Sequence, residues 1–124
     1  MKRVLIVEDM PDNRQIISDL LTSAGYEPIE AIDGAAGVVA ALAHRPDLIL
    51  MDIQLPVIDG YEATRRIKAI DRNIKVLIVS MYDDERLISG CLAAGASGYV
   101  RMDSHSVHLR NAITNVCRRS AHAA

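Results

Sequence analysis

Three continuous apolar runs punctuate the chain: VLIV at 4–7, LILM at 48–51 and VLIV at 76–79. Unbroken β-branched and leucine runs, rather than alternating ones, predict strands covered on both faces. YEPIEA at 26–31 and SGYV at 97–100 are weaker strand candidates. Between the runs lie helical patterns. Ile16, Ile17, Leu20 and Leu21 form one stripe after Pro11-Asp12-Asn13 and before Gly25. Asp33 is placed to cap a second helix, rich in Ala and Val, ending near His44 before Arg45-Pro46. A third spans about Gly60 to Ala69. A fourth begins at Asp83-Asp84-Glu85, carries Leu87, Ile88, Cys91 and Leu92, and stops at Gly95. A fifth begins near Ser104, turns Val107, Ile113, Val116 and Cys117 inward, and carries Arg118 and Arg119 near its end, where cations suit the dipole. The order is five βα units, which predicts a five-stranded parallel sheet with helices on both faces. Residues 1–119 make one domain, and 120–124 a short tail.

Composition narrows the class. The 124 residues suit one domain with a core that needs no staple. A net charge of −2 argues against a nucleic-acid grip built on bulk electrostatics. Cys91 and Cys117 lack metal-like spacing and read as small apolar residues in a reducing compartment. No apolar stretch reaches the roughly 18 residues of a membrane span, and Glu8 and Asp9 interrupt the first run too early for a signal peptide. The expectation is a cytoplasmic protein with no membrane association. His44, His105, His108 and His122 are scattered and read as surface residues.

Chemistry is concentrated where the apolar runs stop. In an open parallel sheet, ligands bind beyond the carboxyl ends of the strands. Glu8 and Asp9 follow the first run, Asp52 the second long run, Ser80 the third, and Arg101, Met102 and Asp103 the last. Glu8 and Asp9 alone would also suit the start of a helix. With Asp52 at the same sheet edge, three carboxylates converge, and each like-charge pair at about 4 Å costs roughly 4 kcal/mol at an effective dielectric near 20. Protonation of one member offsets this. A hard divalent cation does so better, because Mg2+ takes carboxylate and carbonyl oxygens.

VLIVEDMPDNR, LILMDIQLPVIDG, the VS at 79–80 and GASGYV at 95–100 together resemble the receiver domain of two-component response regulators. The resemblance covers Arg3 to about Arg119 and implies a flavodoxin-like, doubly wound (βα)5 fold. It implies that Asp52 is the phosphoacceptor, attacking a phosphohistidine on a histidine kinase or histidine phosphotransfer protein, or a small phosphodonor. Glu8, Asp9 and the backbone carbonyl of Gln54 would join Asp52 around Mg2+. Ser80 would hydrogen-bond the phosphoryl group, and Tyr99 would be the aromatic switch. Gly60 would allow the tight turn into the third helix, and Pro56 would stiffen the loop before it. The resemblance also allows a homodimer through the face of helix 4, strand 5 and helix 5. It implies no direct nucleic-acid contact and no enzyme activity beyond self-catalysed phosphoryl acceptance and hydrolysis.

One position departs from the pattern. The family usually reads GYVxK, and this chain reads GYVRMDS, so Met102 stands where lysine is expected. Methionine has similar length and no donor. A hydrogen bond to a charged group is worth about 1.5–3 kcal/mol net, a sizeable part of the roughly 5.5 kcal/mol that a full two-state switch requires. Arg101 is a poor substitute because adjacent strand residues point to opposite faces. The expectation is a phosphorylatable Asp52 with weakened coupling to Ser80 and Tyr99. The alternative is a phosphorylation-independent interaction or dimerisation module on the same fold. An Mg2+-dependent phosphohydrolase is disfavoured because Gln54 occupies the place of its second acid-base carboxylate. A flavin site is disfavoured by the acidic first turn.

Overall fold

In the computed structural model, described over residues 2–80, 85–101 and 106–122, strands and helices alternate five times. They are β1 (Arg3–Val7), α1 (Pro11–Ser23), β2 (Glu27–Ala31), α2 (Gly34–His44), β3 (Leu48–Asp52), α3 (Gly60–Ile70), β4 (Lys75–Ser80), α4 (Glu85–Ala93), β5 (Gly98–Arg101) and α5 (Ser106–His122). All pairings are parallel, in the order β2-β1-β3-β4-β5. The three continuous apolar runs are therefore the three inner strands. β2 and β5 are the edges, which is why their patterns are weaker and why Pro28 is tolerated in β2.

Alternation along the inner strands divides the core in two. Val4, Ile6, Leu48, Leu50, Leu77 and Val79 pack under Ile17 and Leu21 of α1 and Leu109, Ile113 and Val116 of α5. Leu5, Val7, Ile49, Met51, Val76 and Ile78 pack under Ala41 of α2, Ala63 and Ile67 of α3 and Cys91 of α4. Helices thus cover both faces, as the sequence predicts.

Local signals set the helix ends. The Asp33 side chain accepts from the Ala36 amide at 2.7 Å, and Asp59 accepts from the Glu62 amide at 2.9 Å. α2 stops at Arg45 in the left-handed region (φ 46°), just before Pro46. Gly25 and Gly95, at φ 90° and 115°, end the first and fourth helical segments.

Several expectations need correction. Ile16 is 57% exposed, because the stripe of α1 narrows to Ile17 and Leu21, and the preceding residue sits about 100° around the helix. Leu92 faces solvent for the same reason, next to buried Cys91. The chain does not leave helical structure at 119: α5 runs to His122, with no Gly or Pro to stop it. Met81, Asp83, Asp84, Met102, Asp103, Ser104 and His105 lie outside the described residues, as do the side chains of Val107, Arg118 and Arg119. Among the described residues, no helix is long and apolar enough to cross a membrane.

Candidate functional site

Register brings the carboxylates together. Val7 of β1 pairs with Met51 of β3, so the residues one step further, Glu8 and Asp52, stand side by side at the carboxyl edge of the sheet. The Glu8 amide donates to the Ala31 carbonyl at 3.1 Å, which prolongs the β1–β2 ladder by one residue and fixes Glu8 before the chain turns into α1. Carboxylate oxygens of Glu8, Asp9 and Asp52 all lie within 4.8 Å of one another. At that spacing and an effective dielectric near 20, each ionised pair repels by about 3.5 kcal/mol.

Glu8 is the buried member, 5% exposed, while Asp9 and Asp52 are partly open. Its carboxyl is pushed from 4.5 to about 7, first by burial and then by the Asp52 charge and a hydrogen bond with Asp52. The Met10 amide at 3.2 Å and the Asn13 amide nitrogen at 3.5 Å pull in the opposite direction. Burial also raises Asp52, partly countered by the Gln54 amide at 3.3 Å and the shared hydrogen bond with Glu8. Burial and mutual repulsion thus push both Glu8 and Asp52 towards holding a proton. Three convergent carboxylates, one of them buried, are a hard oxygen donor set that suits Mg2+.

Two other expected residues lie on the neighbouring strands β4 and β5. Ser80 ends β4, one residue beyond Val79, the register partner of Asp52, and is 1% exposed. Tyr99 lies in β5 opposite Ile78, half-buried against the core beneath α4. Val100 packs on the other face, with the α1 and α5 cluster. Arg101, two residues beyond Tyr99, takes the Tyr99 face by alternation, and its side chain is exposed. Asp52 alternates with Leu48 and Leu50 on the opposite face.

The loop after Asp52 is tight. Gly60 does not adopt a positive φ; its requirement is space. A Cβ there would collide with the Asp52 carbonyl oxygen and the Ile53 Cα, because the first turn of α3 rests on the end of β3. The Gly60 amide donates to the Ile53 carbonyl at 3.0 Å. Between them the Ile58 amide donates to the Pro56 carbonyl at 2.8 Å, closing a γ-turn with Val57 at φ 66°. This positive-φ turn is rare and strained for a β-branched residue.

Sequence reasoning missed this strain, and it missed Asn13 and Arg14. The Arg14 guanidinium donates to the Glu8 carbonyl at 3.0 Å and pairs with Glu30 at 3.1 Å. Both fall within the VLIVEDMPDNR stretch, but residue type alone does not show what they touch. Only their position on the first turn of α1 brings them to the site.

Comparison with known proteins follows the same lines. A family model described as "Response regulator receiver domain" matches residues 4–114. The chain is 41% identical over 105 residues to the polar-differentiation response regulator DivK of Brucella anthropi, covering 80% of this chain and 82% of that protein. It superposes with a TM-score of 0.84 and 33% identity on the receiver domain of the sensor histidine kinase PA1611 of Pseudomonas aeruginosa, described with a magnesium ion coordinated in the active site cleft, over 94% of this chain and 97% of that one. A CheY-like receiver domain protein from Methanospirillum hungatei gives a TM-score of 0.95 over 100% of this chain and 99% of that one; at 24% identity it speaks for the fold alone.

Proposed function

The chain belongs to the response regulator receiver domain family, and from that premise we propose that it accepts a phosphoryl group on Asp52 in a two-component phosphorelay. The observation that carries this reading is the cluster of Glu8, Asp9 and Asp52 at one strand edge. An Asp52 carboxylate oxygen attacks the phosphorus of a phosphohistidine on a histidine kinase or phosphotransfer protein. The P–N bond breaks, the imidazole leaves with the electron pair, and an aspartyl phosphate remains. Glu8, Asp9, Asp52 and the Gln54 carbonyl would hold Mg2+, which when bound would neutralise carboxylate and phosphoryl charge. Asp52 is more open than Glu8, which, buried beside it, governs the charge it carries.

Ser80 hydrogen-bonds the phosphoryl group after transfer, and Tyr99 follows it inward, altering the face made by α4, β5 and α5. No turnover of an external phosphate ester is expected, and the donor places the reaction in the cytoplasm. Incubation with a small phosphodonor and Mg2+, followed by intact-mass measurement, tests the reading. A gain of one phosphoryl group that vanishes on Asp52→Ala supports it. No gain under conditions that modify an ordinary receiver domain refutes it.

Position 102 favours a second reading. Methionine in place of the expected lysine removes a donor to the acceptor and its phosphate. The domain would then act through binding alone, and the failed phosphorylation above would be its positive result.

A further inference from the structure

α2 is unusual in its outer face. Its sequence, GAAGVVAALAH, holds no Asp, Glu, Lys or Arg. The inner side, Gly34, Gly37 and Ala41, meets the sheet. The outer side carries Ala35, Val39, Leu42 and Ala43 in one helical stripe, all exposed. Val39 is 67% and Leu42 51% exposed. Ile32, just ahead of the helix, is 59% exposed. The strained Val57 lies close to the start of α2, because the neighbouring Ile58 sits against Gly34. Its side chain is fully in solvent, so no packing within the chain offsets its backbone strain.

From the contiguous, uncharged apolar face of α2 we propose that a second copy of this chain docks there, with the two α2 helices antiparallel across a two-fold axis near Val39.

Area and charge both point to a like partner. The six side chains Ile32, Ala35, Val39, Leu42, Ala43 and Val57 expose roughly 500 Å², the upper part of what a monomer ordinarily leaves in one apolar patch. A two-fold contact doubles this to about 1,000 Å², the threshold of a specific though weak interface. An isologous contact brings residues near the two-fold axis against their own copies, which is unfavourable for like charges there and without penalty for the uncharged Val39 region. The ends of the helix are oppositely charged. Asp33 stands at its start. Arg45 stands at its end, and the Arg3 guanidinium joins it there by donating to the His44 carbonyl at 3.1 Å. An antiparallel pair therefore sets the Asp33 carboxylate of each copy against the Arg3 and Arg45 end of the other, where Arg45 also pairs with Asp71 at 3.2 Å, with the helix dipoles opposed. Small residues along the stripe let the axes approach closely. The face of α4, β5 and α5 is less suited to self-contact, since Glu85, Arg86 and Arg101 are exposed on it.

Sedimentation equilibrium of the full chain between about 10 µM and 1 mM tests the proposal. The weight-average mass is expected to rise from 13.6 kDa towards twice that value. Val39→Lys and Leu42→Glu, both at exposed sites, are each expected to hold it at the monomer value with an unchanged circular dichroism spectrum. In a Cys117→Ser background, Val39→Cys is expected to give a covalent dimer on mild oxidation, and Arg86→Cys is not. A monomer throughout the range overturns the proposal, leaving the face to some other partner. A dimer indifferent to Val39→Lys, or cross-linked through Arg86→Cys instead, overturns it equally.

Discussion

Stability should fall as pH rises through the range in which Glu8 ionises. In the folded chain its carboxyl is raised from 4.5 to about 7, so the native state binds a proton more tightly than the unfolded state. The stabilising contribution is complete below the unfolded value and is lost as pH climbs through the folded one. A gap of about 2.5 units corresponds to roughly 3 kcal/mol. The Asp52 shift has the same direction and adds to the trend. For a chain of this length, 1 kcal/mol moves the melting temperature by about 4 °C, so Tm in EDTA should drop by about 12 °C between pH 5 and pH 8. Mg2+ competes with the proton and should restore about 3 kcal/mol at pH 8 when present at about a hundred times its Kd, with much less effect at pH 5. Glu8→Gln keeps the shape, donates to Asp52 without ionising and should flatten the profile. Thermal melts of both chains at several pH values give the answer. Equal wild-type stability at pH 5 and 8 in EDTA would refute the account of Glu8.

Three further outcomes follow from single residues. Val57→Gly removes about 1–2 kcal/mol of positive-φ strain and gives back about half of it in unfolded-state entropy, so urea unfolding should show a net gain of about 0.5–1 kcal/mol; a loss would mean that the turn is unstrained. Thr64 on α3 is fully buried, and its hydroxyl has no hydrogen-bond partner among the described residues. Thr64→Val should stabilise by about 1–2 kcal/mol in the same assay, and destabilisation would point to an unseen partner for that hydroxyl. Met102→Lys should change the lifetime of the Asp52 phosphoryl group at least several-fold, read by loss of the added mass with time; an unchanged lifetime would show that position 102 does not reach the acceptor.

How much could be read in advance depended on burial. The inner strands declared themselves because burial on both faces removes alternation, and their parallel order then fixed where Glu8, Asp9 and Asp52 would meet. The edge strands were fainter because one side of each is unpaired. Ile16 and Leu92 were misplaced because hydrophobicity marks a stripe more broadly than the neighbouring surface can cover. Asn13, Arg14, Val57 and Thr64 were illegible for another reason. Their significance comes from a carbonyl, a turn or a missing partner supplied by the fold, and residue type alone does not encode it. Gly60 was identified, but the need it meets is clearance rather than backbone freedom.

That clearance ties the acceptor to a helix. With α3 seated directly on the peptide that follows Asp52, there is no slack between them. Any force that tilts α3, from a docked protein or a distant substitution, is felt at the acceptor as a change in its aim. Conversely, a rearrangement at Asp52 has a lever eleven residues long at its disposal.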